Sequence, residues 1–200
     1  MFNNILIIGC GLIGSSILRG SISKKISKNI YVFEKSKKNI SLIKKIDKKI
    51  KFLKDLDHQV ANMDLIVLAA HMNQYKNIIK KLQIYISSKN IITDTGSTKR
   101  NIEKFIDKNK KLKEIFVLGH PIAGSEVSGP MYGNKNLFKD KWCIILKSKK
   151  NPKNKLNKVK KFWKKLGSKI ILMNSADHDK IFSITSHLPH LIAYNLVKTA

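Results

Sequence analysis

"IIGCGLIGSS", residues 7–16, closes an apolar run with three glycines, Gly9, Gly11 and Gly14. The order reads as strand, tight turn, helix. In that setting a G-x-G-x-x-G turn bends the backbone sharply and lets a pyrophosphate approach the main chain. It also packs helix on strand, with the helix N-terminus facing the anion. By itself the same pattern also serves as a plain connection between strand and helix. Glu34 adds weight to the first reading, because it ends the next apolar run, "NIYVFE" (29–34), about twenty residues beyond Gly14. A carboxylate there accepts the hydroxyls of an adenosine ribose, which favours NAD. Lys35, Lys37 and Lys38 stand beside it and leave a 2′-phosphate, and so NADP, open.

Outward from this turn the chain alternates strands and helices. A helix is expected over 12–24 and a lysine-rich one to about 46. "DLIVLAA" (64–70) and "NIITDTG" (90–96) read as strands flanking a helix within 73–86. A further helix starts at Ser97 or Thr98, either of which supplies a hydroxyl cap. Strands follow at 115–121, 141–147 and 168–173. Continuous apolar strands separated by helices predict an α/β fold, a Rossmann-type parallel sheet covered on both faces. After residue 174 the spacing becomes helical, with Ser175 as the cap, and runs to Ala200 without a stop signal. The expected division is a nucleotide-binding domain over 1–174 and the beginning of a helical domain over 175–200, cut short at its end.

The net charge of +27 suggests a phosphate-rich partner. Its quality argues against one, since Arg19 and Arg100 are the only arginines among 40 basic residues. Lysine lacks the planar fork with which arginine reads bases, and here it is spread over nearly every helix and loop. No specific nucleic-acid partner is expected. Cys10 and Cys143 form no disulfide or metal-binding spacing, no basic leader precedes the first strand, and no run of ~20 apolar residues spans a membrane. The expected setting is the cytoplasm.

Three later stretches carry chemistry. "TDTGSTK" (93–99) lies beyond a strand's C-terminal end, where open α/β sheets bind ligands. Ser97 there suits a bond to substrate or nicotinamide as well as a helix cap. "GHPIAGSEVSGP" (119–130) sets His120 after a strand, with Glu126 six residues on among small residues. A histidine so placed can accept a hydroxyl proton near neutral pH, although a structural role is the commoner one for a lone histidine. "SHLPH" (186–190) puts His187 and His190 on one helix face, and His178 is a conceivable third metal ligand. The carboxylate of a H-E-x-x-H pattern is missing, so no metal is expected.

"GCGLIGSS", "DTGSTK", "GHPIAGSE", "NLFKDKWCIIL" and "ADHDKIFSITSHLPH" together resemble, in order and spacing, the prephenate/arogenate dehydrogenase family of tyrosine biosynthesis. The resemblance runs from residue 4 to the last residue. It implies a Rossmann NAD(P) domain and a helical domain that forms a homodimer. The implied reaction is oxidative decarboxylation of prephenate or arogenate, with hydride passing to NAD. His120 would bind the ring hydroxyl and help remove its proton, and Ser97 would orient His120 and the substrate. Ser125 and Glu126 would border and gate the substrate, with Ser186, His187 and His190 approaching it from the helix. The cofactor would lie on Gly9, Gly11, Leu12, Ile13, Gly14, Glu34, Ala69, Ala70, Thr95 and Gly96.

Two departures stand out. His71 occupies the place where the family carries proline, in the loop bordering the adenosine. The family's substrate-binding arginine is expected from the helical domain beyond residue 200, which leaves a fragment or a degenerate protein open. The alternatives are another NAD-dependent hydroxyacid-type dehydrogenase, or a non-catalytic cationic protein that binds NAD or nucleic acid.

Overall fold

The structure, a computed structural model, describes residues 2–147, 151–187 and 195. Its centre is β1 (Phe2–Ile8), whose residues Ile5 to Ile8 are all at most 1% exposed. Alternation along the strand explains this. Leu6 and Ile8 enter one apolar cluster, with Ile78, Ile79 and Leu82 of α3 (Tyr75–Tyr85). Ile5 and Ile7 enter the other, with Ile17 and Leu18 of α1 (Leu12–Ser23) and Trp163 of α6 (Lys153–Leu166). A strand covered on both faces has no polar side, hence the unbroken apolar run.

β1 pairs in parallel with β2 (Ser27–Phe33) on one side and β4 (Leu65–Leu68) on the other. With β3 (Lys51–Phe52), β5 (Ile91–Asp94) and β6 (Phe116–Val117) the strand order is 3-2-1-4-5-6. The order reverses between β1 and β4, and a crevice opens there beyond the strand ends, the usual ligand position in such sheets.

The parallel sheet is as expected, but the last three strands do not extend it. β7 (Gly119–Pro121), β8 (Trp142–Leu146) and β9 (Lys169–Met173) form a separate three-stranded sheet, in which β7 runs antiparallel to β8. Only Leu118 separates β6 from β7, so one extended segment passes from sheet to sheet. The physical reason lies at Gly119: its N–H donates to the Asp94 carboxylate (3.0 Å) and not to a neighbouring strand, which ends the β5–β6 ladder at Val117.

Two helix starts also differ from expectation. α4 spans Arg100–Ile106 and takes no side-chain cap from Ser97 or Thr98. The carboxylate of Asp179 accepts from the N–H groups of Lys99 and Arg100, both at 2.9 Å, and caps α4 from outside. α7 (Ser175–Phe182) is capped by Asn174, not Ser175; the Asn174 side chain accepts from the Asp177 N–H at 2.8 Å. Ser175 Oγ instead donates to Glu103 of α4, joining the two helices.

Candidate active site

The glycine turn forms the floor of a groove of about 660 Å³. Gly9 has φ +82°, a left-handed conformation that suits glycine, and a Cβ there would strike the Ala70 backbone at 2.7 Å. Gly14 lies against the Gly9 carbonyl, so a Cβ would collide with it. Gly11 is different, because a Cβ there meets nothing within 4 Å. Its open side faces the groove, where a pyrophosphate would need the space that a side chain fills. α1 begins beside it at Leu12 with no side-chain cap and no acidic residue in its first turn, so its N-terminal dipole is uncompensated toward an anion.

Gly9, Gly11, Leu12, Ile13 and Glu34 line the groove from the β1 and β2 ends. Ala69, Ala70 and Thr95 line it from β4 and β5. Gly14 and Gly96 are not among its lining residues; each is buried beneath the turn it belongs to. Glu34 is fixed at both oxygens, accepting from the Cys10 N–H and the Ser36 N–H, each at 2.9 Å. Cys10 is not a reactive thiol: burial, with help from the Glu34 charge, pushes it up to about 12. His71, in the place of the family's proline, has φ −62°, within the range proline itself adopts, and it lines the groove. The exchange leaves the loop's backbone in a proline-like path.

A second cleft, of about 900 Å³, is lined by His120, Ser125, Glu126, Lys141, Phe182 and Thr185, among others. The loop after β7 connects the two cavities: residues 121–126 line this cleft, and Val127, Ser128 and Gly129 line the cofactor groove. Ser125 and Glu126 therefore line the same cleft as His120. Ser97 is exposed, and its Oγ faces Met72 Sδ at 3.9 Å. Ser186 and His187 fall on the π-type turn Ser183–His187 that continues α7, but their side chains, and the whole of His190, lie outside the described residues.

His120 is held from below by groups the sequence reading did not assign. The Lys99 ammonium is fully buried and reaches Asp94 at 2.6 Å and the Gly119 carbonyl at 2.5 Å. Asp94 accepts from the N–H groups of Gly96 and Gly119, each at 3.0 Å. The buried pair thus grips both backbone groups of the residue preceding His120. Burial lowers the Lys99 pKa, and the adjoining Asp94 carboxylate opposes that. Beyond the grip, His120 Nδ1 lies 2.9 Å from Nε2 of His178, whose Nδ1 lies 2.7 Å from Asp179. Phe182 packs on both imidazoles, its ring centroid 5.1 Å from that of His120 and 4.8 Å from that of His178.

Burial lowers the pKa of His178, with Asp179 pulling the other way. For Asp179, burial raises the carboxyl, but bonds from Arg100 N–H, His178 and Lys99 N–H hold it below the usual carboxylate range. The sequence did contain a sign of this arrangement. Asp94 and Lys99 bracket Gly96 in "DTGSTK", and "HD" at 178–179 lies within α7.

A parallel sheet in this order, with a glycine turn at its switch point and a groove above it, defines a Rossmann-type nucleotide-binding domain. Comparison with known proteins narrows the class. The family model "Prephenate dehydrogenase, nucleotide-binding domain" matches residues 20–172, and "Prephenate dehydrogenase, dimerization domain" matches residues 174–200. The chain belongs to the prephenate dehydrogenase family. A cyclohexadienyl dehydrogenase of Zymomonas mobilis is 30% identical over 197 residues, covering 98% of this chain and 67% of that protein. A prephenate dehydrogenase of Lactococcus lactis is 31% identical over 96% of this chain and 52% of its own length. Among solved structures, prephenate dehydrogenase from A. aeolicus in complex with hydroxyphenyl propionate and NAD+ superposes with a TM-score of 0.91 at 30% identity. That match covers 100% of this chain and 69% of the other. This chain spans between about half and two thirds of the length of these curated relatives.

Proposed function

We propose that this protein catalyses oxidative decarboxylation of prephenate or arogenate, with NAD+ as hydride acceptor. The observation that carries the reading is the arrangement of His120 in a cleft joined by one short loop to the glycine-turn groove. The likeness to a structure holding NAD+ and hydroxyphenyl propionate supports it, since that ligand is a phenol with a carboxylated side chain.

NAD+ would lie on Gly9 and Gly11 with its pyrophosphate at the start of α1, and it supplies the site that accepts hydride. Glu34, anchored at both oxygens, would accept the ribose hydroxyls and repel a 2′-phosphate, favouring NAD+ over NADP+. His120 would remove the ring-hydroxyl proton as hydride leaves the same carbon, while loss of carbon dioxide makes the ring aromatic. Ser97, whose hydroxyl faces Met72 in this structure, would orient His120 and the substrate. Ser125 and Glu126 would border it, with Ser186, His187 and His190 approaching from the last helix. Lys141, which also lines the cleft, adds a cation suited to a substrate carboxylate.

The domain division is placed near residue 174, with the helical segment serving a homodimer; the dimerization-domain match supports this. No helix among the described residues is long and apolar enough to cross a membrane; the cytoplasm is the setting proposed for this biosynthetic reaction.

The test is NADH formation by the full-length protein with prephenate and, separately, with arogenate. Turnover of at least one is expected. NAD+ binding without turnover of either would overturn the reaction in favour of a non-catalytic nucleotide-binding protein.

A further inference from the structure

His178 is fully buried, so its two ring nitrogens have only protein groups to bond. Asp179 accepts on both oxygens, from Lys99 N–H, Arg100 N–H and His178. A carboxylate in that setting is ionised and only accepts, so Nδ1 of His178 carries a proton and donates. A neutral His178 then offers its lone pair at Nε2. Across the 2.9 Å contact the donor must therefore be Nδ1–H of His120. In that tautomer the lone pair of His120 sits on Nε2, and His120 lines the cleft. Among the described residues, the titratable groups facing His178 are Asp179 on its own helix, Asp94 at the end of β5, Lys99 from the turn after it, and His120 from β7. Phe182, one turn further along α7, packs against both rings and restricts their rotation.

We propose that His178 and Asp179 are positioning residues: they lock His120 in the Nδ1–H tautomer and take up the charge it gains on accepting the substrate proton. The inference rests on the role of His120 proposed above. The step balances as follows. The substrate O–H bond breaks and an Nε2–H bond forms on His120. The Nδ1 proton of His120 passes to Nε2 of His178, which becomes an imidazolium beside the Asp179 carboxylate. The carbon bearing that oxygen would give up its hydride to bound NAD+ and become a carbonyl, and rupture of the carbon–carboxylate bond would release carbon dioxide and leave the ring a phenolate. The proton then returns by the same path to the phenolate oxygen. Asp179 stays ionised throughout, as the orienting carboxylate of a Ser-His-Asp triad does.

The arrangement also gives Asp179 two tasks, since it caps α4 and orients His178. His178→Phe separates them, because it leaves the cap in place and removes only the link to His120. In the full-length protein this variant should lower kcat by about 10²-fold with little change in KM. His178→Gln, whose amide can still donate to Asp179 and accept from His120, should recover part of that loss. Asp179→Asn should shift the acid limb of the kcat/KM profile down by about one pH unit, since an adjacent negative charge favours the protonated imidazole. Independently of turnover, 15N spectra should show His120 protonated on Nδ1. An Nε2–H tautomer would overturn the lock whatever role His120 has. Rates and pH profiles unmoved in His178→Phe and Asp179→Asn, beside a His120→Asn variant that is inactive, would overturn the charge uptake while leaving the proton acceptor in place.

Discussion

The two halves of the site are built in opposite ways. The cofactor groove is local: Gly9, Gly11 and Gly14 lie within one turn, and Glu34 folds back onto the amide of Cys10. The half around His120 joins the end of β5 and the turn after it, β7 and α7, so residues 94, 99, 120, 178 and 179 meet only in the folded chain. The first half depends on backbone geometry, and a single methyl group disturbs it. The second depends on buried charge, so it fails through unpaired groups.

The sharpest way to break the second half is Lys99→Met. It strands the Asp94 carboxylate in the interior and releases the Gly119 carbonyl. Removing one partner of a buried pair costs about 3–5 kcal/mol, so the urea midpoint should fall sharply. In the first half, Gly14→Ala drives a Cβ into the Gly9 carbonyl and should weaken NAD+ binding by about 10²-fold, ~2.7 kcal/mol, in a calorimetric titration. The fold should survive, because the clash displaces a loop and not the core. Glu34→Ala should cost about tenfold in NAD+ affinity and narrow the preference over NADP+ measured in the same titration.

A smaller effect concerns pH. The folded state disfavours charged His178, so the unfolded chain binds more protons as pH falls through the ordinary histidine value of 6.5. The stability contributed by neutral His178 is present above that value and lost below it. Between pH 7 and pH 5.5 the parent should therefore lose more stability than His178→Gln, by less than about 1 kcal/mol, in paired urea titrations.

The same contrast explains how much of the molecule was legible in its sequence. The glycine turn and Glu34 are short-range patterns, and the sheet follows from apolar runs buried on both faces. His120 could be picked out by its motif, and Ser125 and Glu126 came with it. The grip of Asp94 and Lys99 on Gly119 left only their places on either side of Gly96 as a sign, because Gly119 is brought to them by the switch between sheets. His178 looked like a spare metal ligand, since nothing in the spacing shows that its nitrogens face Asp179 and His120. Helix α6 was obscured for a different reason. Its lysines hide a stripe of Val159, Phe162, Trp163 and Leu166 at helical spacing, which the structure buries completely. Ser97 seemed a natural helix cap, but Asp179 reaches the same amides from 80 residues away.

The central claim is that His120 accepts the substrate proton beside a bound NAD+. It is tested most directly by comparing kcat of full-length His120→Asn with that of the parent, at saturating NAD+ and prephenate or arogenate. The account predicts a fall of about 10²–10⁴-fold with NAD+ affinity unchanged; an unchanged kcat would contradict it.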